Sequence, residues 1–131
     1  ALTTSDAFAA GCSRYGIGDL TALATDTHKF ESRYLDGLIG PWPEASAVHE
    51  QRSPINHVDD LNTPMLILQG ADDAVVPPNQ AETMARAVAA KGLEVELIVF
   101  EGEGHGFRRA ESIERALEAE LAFYQRILVD R

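Results

Sequence analysis

Two side chains in this sequence could carry a proton and stabilise the result. Asp72 lies in Gln69-Gly-Ala-Asp-Asp-Ala-Val-Val-Pro77, and His105 lies in Glu101-Gly-Glu-Gly-His-Gly-Phe107. A carboxylate beside an imidazole orients the ring and fixes its tautomer. It also stabilises the imidazolium that forms when the ring takes a proton. This is the acid–base half of nucleophilic catalysis, and it requires a hydroxyl or thiol to attack. Gly104 and Gly106 flank His105 and leave the backbone free to turn and project the ring.

The attacking group is harder to find. A serine nucleophile on a strand-to-helix elbow needs small neighbours, in the pattern Gly-x-Ser-x-Gly, and that pattern does not occur. The nearest approach is Gly11-Cys-Ser-Arg-Tyr-Gly16, where Tyr15 stands two positions after Ser13. Ser13, Asp72 and His105 follow each other in a workable order, but Ser13 lacks the elbow. Cys12, the single cysteine, cannot form an internal disulfide and reads as a small buried apolar residue. Asp73 reads as a turn residue close to the following helix. His57 with Asp59 and Asp60 has metal-ligand composition without supporting residues, and loop capping accounts for it. Trp42, between Pro41 and Pro43, is expected to cover a core edge. No metal and no cofactor is expected.

The elements that must position Asp72 and His105 are legible in the second half. Met65-Leu-Ile-Leu68 is an unbroken apolar run ended by Gly70, which suits a strand buried on both faces of a parallel sheet. Pro77-Pro78 opens a helix with Ala81, Met84 and Val88 on its apolar stripe, and Gly92 stands where a left-handed C-cap is wanted. Val95-Glu-Leu-Ile-Val-Phe100 is a second strand. Residues 111–129 form a long amphipathic helix, with Ile113, Leu117, Leu121, Tyr124 and Leu128 as its core-facing stripe. Strand, helix, strand, helix with short connections makes right-handed βαβ units, whose functional residues gather at the carboxyl ends of the strands. Asp72 and His105 both fall there. The first half reads less sharply: a strand over residues 6–11, helices over 19–25 and 30–38, a turn at Pro41-Trp-Pro43, and a helical turn or two over 44–50.

Composition narrows the partners. With 11 Lys and Arg against 21 Asp and Glu in 131 residues, the formal charge is −10. Phosphate backbones and anionic lipid surfaces attract basic clusters, so neither nucleic acid nor a membrane surface is expected as a partner. No apolar run approaches the roughly 20 residues that span a bilayer, and no secretory leader is expected. One unpaired cysteine suits a reducing, cytoplasmic setting.

Taken together, Ser53-Pro-Ile-Asn-His-Val58, Thr63-Pro-Met-Leu-Ile-Leu-Gln-Gly70, Asp72-Asp-Ala-Val-Val-Pro77 and Glu103-Gly-His-Gly-Phe107 carry a resemblance. The sequence resembles the carboxyl-terminal part of the α/β-hydrolase domain of the prolyl oligopeptidase family of serine peptidases. The acylaminoacyl-peptidase and dipeptidyl-aminopeptidase-like branch is the most similar, on Tyr15-Gly-Ile-Gly-Asp19 and residues 27–40 as well. The resemblance covers residues 7–129. It implies an α/β fold of mostly parallel strands with flanking helices, with Asp72 as triad acid and His105 as triad base. It also implies that residues 1–131 are a partial catalytic domain whose serine elbow and oxyanion hole lie upstream of Ala1. Some relatives carry a polar or charged side chain two positions after the triad acid, and Ala74 would stand there. The implied parent hydrolyses short peptides from their amino-terminal side by acyl transfer. An esterase of dienelactone-hydrolase type and a non-catalytic assembly module are the alternatives. The isolated chain is expected to be inactive and to associate with its amino-terminal complement or with copies of itself.

Overall fold

A computed structural model describes residues 1–26 and 33–130. The observed chain is built around three parallel strands in the order β1 (Gly11–Arg14), β2 (Met65–Gly70) and β3 (Val95–Phe100). Every residue of β2 is buried, as its continuous apolar run predicts for a central strand covered on both faces. Gly11 lies beside Met65 in the ladder, and Met65 lies beside Val95.

Strand periodicity divides β2 between two cores. Met65 and Ile67 point to one face, where they meet Leu61, Ala81, Met84, Ala85 and Val88. The last four of these belong to helix α4 (Asn79–Ala90). Leu66 and Leu68 point to the other face, against Ile98, Phe100, Ala116, Phe123 and Ile127. The last three come from α5 (Ala110–Tyr124) and the π-helical turn Gln125–Val129 that continues it. The result is a helix–sheet–helix sandwich, and each fully buried Leu contributes about 1.5–3 kcal/mol to it. Gly92 ends α4 in the left-handed region, at φ +81°, with its N–H on the Ala89 carbonyl at 2.9 Å.

The first half supplies short helices: α1 (Leu20–Asp26), α2 (Tyr34–Leu38) and α3 (Ser46–Arg52), then a 3₁₀ stretch over Pro54–Asp60. Part of the helix expected over 30–38 lies outside the described residues. Trp42 packs edge-on against the wholly buried His49, with ring centres 5.4 Å apart, and so covers a core edge. His57 places Nε2 2.7 Å from the Gln51 carbonyl oxygen.

Two expectations are corrected. The first strand runs over Gly11–Arg14 and not residues 6–11, because pairing with β2 decides it. Gly11 N–H bonds the Pro64 carbonyl at 3.1 Å, immediately before β2 begins, and the alanine-rich stretch ahead has weak strand preference of its own. The second concerns α5. It is helical as expected, but its buried residues are Ser112, Ala116 and Phe123, while Ile113, Leu117 and Leu121 are 41%, 56% and 60% exposed. Small residues let the helix lie close to the sheet, and the leucine stripe turns aside.

Among the described residues no helix is long and apolar enough to cross a membrane.

Candidate active site

The three strands end at one edge, and the loops that leave them converge there. After β2, the chain turns over Gly70–Asp73, with Asp73 N–H directed back to the Gly70 carbonyl at 3.4 Å. After β3, the loop comes close enough that a Cβ on Gly70 would stand 2.3 Å from the Gly104 carbonyl oxygen. Only glycine permits that approach. Asp72 N–H then bonds the Glu103 carbonyl at 2.9 Å and ties the two loops together. Glu103 is itself buried, and its carboxylate accepts the N–H groups of Arg108 and Arg109, each at 2.9 Å. Those donors, Arg108 first, hold the Glu103 carboxyl below the usual carboxylate range against the opposing effect of desolvation.

His105 stands at the tip of this loop, between Gly104 and Gly106, which bridge one another. Gly106 adopts φ +103°, a conformation that side chains rarely take. The Nδ1 of His105 lies 2.9 Å from Oδ2 of Asp73. The carboxylate partner is therefore Asp73, and the expectation that Asp72 holds the imidazole is corrected. The physical reason is the turn. Asp72 occupies its outer corner and is exposed, whereas Asp73 closes it and returns to the sheet edge, where its side chain is fully buried. Asp73 still does the turn work expected of it: Oδ1 accepts the N–H groups of Val75 and Val76 at 2.9 and 2.8 Å. Its other oxygen takes His105, and the buried amide of Gln69 approaches the same oxygen at 3.4 Å. Four donors thus offset the desolvation of one carboxylate. The position two residues after the acid moves with it, from Ala74 to Val75, and remains apolar.

With Nδ1–H donated to Asp73, the neutral imidazole keeps its lone pair on Nε2, which can accept a proton. The side chain of His105 is 39% exposed. It forms part of the wall of a cavity of about 430 Å³ lined mainly by apolar side chains, among them Tyr15, Ile17, Leu23, Tyr34 and Val76. A more open hollow of about 530 Å³, beside Asp19, Glu50 and Gln51, lies apart from His105.

Ser13 is not placed for attack. It sits within β1, beside Ile67 in the ladder, and lines a small cavity with Met65, Ala81 and Met84 on the α4 side of the sheet. Cys12 is half-buried near Arg14 and Glu120. Burial first, then the Glu120 charge, pushes its thiol up to about 11.

Sequence reading missed Asp73, Gln69 and Tyr15. A signal for Asp73 was available: a turn of four residues opening at Gly70 puts its third residue outside and its fourth back at the strand end. Gln69 gave none, since a polar residue at a strand end is ordinarily solvated.

An acid–imidazole pair on adjacent parallel strand ends, with helices on both faces, is the carboxyl-terminal portion of an α/β-hydrolase. The profile of the prolyl oligopeptidase family of peptidases matches residues 1–131, and the chain belongs to that family. A puromycin-hydrolysing peptidase of Mycobacterium tuberculosis superimposes with a TM-score of 0.94 at 50% identity, over 98% of this chain and 20% of its own. Dipeptidyl aminopeptidase BIII of Pseudoxanthomonas mexicana is 32% identical over 114 residues, 83% of this chain and 16% of the relative. Acylamino-acid-releasing enzyme 1 of Oryza sativa subsp. japonica is 39% identical over 62 residues, 47% of this chain and 8% of the relative. The chain spans a fifth or less of the length of these relatives.

Proposed function

We propose that residues 1–131 supply the acid and base of a serine peptidase whose nucleophile is carried by chain upstream of Ala1. The observation that carries this reading is the 2.9 Å contact between His105 Nδ1 and the buried carboxylate of Asp73 at the carboxyl edge of the sheet. In this mechanism Nε2 of His105 takes the proton of the serine hydroxyl as oxygen attacks the scissile carbonyl. It then delivers that proton to the leaving amine, and acyl-enzyme forms. Water, deprotonated by the same nitrogen, releases the acid and restores the serine. Asp73 keeps the ring in the required tautomer and stabilises the imidazolium.

The substrate is a short peptide, opened from its amino-terminal side as the names of the peptidase relatives suggest. The apolar cavity beside His105 accepts an uncharged side chain next to the scissile bond, and Val75 and Val76 place no charge at its edge. The free edge of β1 is where the upstream part of the domain would join the sheet, since β1 pairs with β2 alone among the described residues. A cytoplasmic setting suits the single cysteine.

The test is hydrolysis of alanyl and phenylalanyl p-nitroanilides, and of puromycin, by full-length protein containing this chain. His105→Gln should lower kcat by about 10³-fold or more. Turnover of activated esters without any amide would favour the esterase reading, and unchanged turnover in His105→Gln would sink both.

A further inference from the structure

One hydrogen bond fixes a point on an imidazole and leaves its plane free. The ring of His105 is held by Asp73 at Nδ1, and it rides on a loop where Gly102 and Gly106 both adopt positive φ, +75° and +103°. Rotation about the Nδ1···Oδ2 line would swing Nε2 away from any reacting atom while keeping the hydrogen bond. A second contact is needed, and the structure has one in Tyr15.

Tyr15 follows β1 directly and is the one non-glycine among the described residues with positive φ, at +43°. A bulky aromatic residue rarely takes this conformation, and it persists only where its surroundings fix it. Here they do so on both sides. Its N–H bonds the Leu68 carbonyl at 2.7 Å. Gly16, next along, lies close to Ser13, whose Oγ would have to move from a Cβ placed 2.3 Å away. Beyond it, the amide oxygen of Gln80 in α4 accepts the N–H groups of Gly18 and Asp19 at 3.1 and 2.9 Å.

This backbone aims the Tyr15 ring at His105. The ring centres are 5.1 Å apart with planes tilted by 60°. Behind it, Phe107 meets Tyr15 edge-on at 5.4 Å and lies 4.5 Å from Phe100, the buried last residue of β3. The imidazole therefore rests on a row of aromatic rings rooted in the core. We infer that Tyr15 is a positioning residue: its ring sets the plane of His105, and so the direction of Nε2, by contact and without a hydrogen bond. The inference rests on the peptidase reading for its kinetic consequence, though not for the geometry.

The experiment uses full-length protein containing this chain. Tyr15→Phe keeps the ring, and Tyr15→Leu keeps apolar bulk and loses the plane. With alanyl p-nitroanilide, whose small side chain makes the least use of the cavity wall that Tyr15 also lines, Tyr15→Phe should keep at least about tenfold more of the wild-type kcat than Tyr15→Leu. Tyr15→Leu should lose about 10²-fold in kcat with KM changed by less than about threefold, the scale of a misplaced catalytic group. In crystal structures of the variants, Nδ1 of His105 should stay on Asp73 Oδ2, with the ring plane kept in Tyr15→Phe and turned or spread over several orientations in Tyr15→Leu. This second readout decides the matter even if the wild type hydrolyses no substrate, an outcome that would count against the proposed function alone. An unchanged kcat and ring orientation in Tyr15→Leu, an effect on KM alone, or equal losses in Phe and Leu would each overturn the inference. Should Tyr15→Leu fail to fold, Phe107→Leu removes the ring behind Tyr15. A smaller loss of kcat is expected there, and an unchanged kcat refutes the proposal.

Discussion

Asparagine at two adjacent positions separates the two aspartates. In Asp73→Asn the amide oxygen can keep the N–H groups of Val75 and Val76, now at 2.9 and 2.8 Å from Oδ1. The new NH₂ then faces His105 Nδ1 and the Gln69 amide, where a carboxylate oxygen stood at 2.9 and 3.4 Å. Donor opposes donor. The imidazole resolves the clash by moving its proton to Nε2, which leaves the ring unable to act as a base. The Gln69 amide keeps the Val76 carbonyl at 3.0 Å, so the structural loss is confined to about one charged hydrogen bond, roughly 1–3 kcal/mol. The catalytic loss is larger: a triad acid replaced by its amide in another protease costs about 10⁴ in kcat, near 5 kcal/mol of barrier. Asp72→Asn, at an exposed turn corner, should change stability by less than about 0.5 kcal/mol and leave kcat within about twofold. The assay is kcat for an aminoacyl p-nitroanilide with full-length protein, with thermal melting as a control for folding. Loss in Asp72→Asn and near-normal turnover in Asp73→Asn would refute the assignment of Asp73 and the turn argument behind it.

Glu103 gives a pH signature. Its folded pKa lies below the unfolded value of about 4.3, so its contribution to stability is present above that pH and is lost as pH falls through the folded pKa. Glu103→Gln should therefore melt below wild type at pH 7, and the gap should close in melts taken at successively lower pH below about 4. Cys12, with its thiol at about 11, carries roughly 10⁻³ of its population as thiolate at pH 8, and iodoacetamide should modify it about two orders of magnitude more slowly than an unhindered cysteine. Alkylation at the rate of a free thiol, followed by mass spectrometry, would show that burial does not govern this residue.

The sequence was most readable where one signal had one meaning. Met65–Leu68 is apolar throughout, and the whole of β2 is buried because both of its faces are covered. Gly92 is needed at a left-handed C-cap, and the helix ends there. His105 stood between glycines at a strand end and is found there. Asp72 and Asp73 were not separable by residue type, since both are turn formers, and their roles are set by a single step around the turn that begins at Gly70. Tyr15 was invisible for another reason. A positive φ at a non-glycine residue leaves no trace in composition, and here it accompanies the bond of the Tyr15 N–H to the Leu68 carbonyl across the sheet.

Helix α5 shows how a correct period can point to the wrong face. Ile113, Leu117 and Leu121 recur every four residues, and Ser112, Ala116 and Phe123 fall on the neighbouring arc. Hydrophobicity alone favours the first set for the core. The sheet favours the second, because Leu66, Leu68, Ile98 and Phe100 already fill the space beneath the helix, and only small residues around one Phe123 let the helix close upon them. Glu120, on the arc between the two sets, pairs with Arg14 of β1 and fixes the rotation. The leucine stripe is thereby turned toward the side of the sheet where β1 has no further partner among the described residues. An open strand edge and an apolar helix face on the same flank are what a sheet continuing beyond β1 would cover, which is where the proposed function requires the serine to arrive.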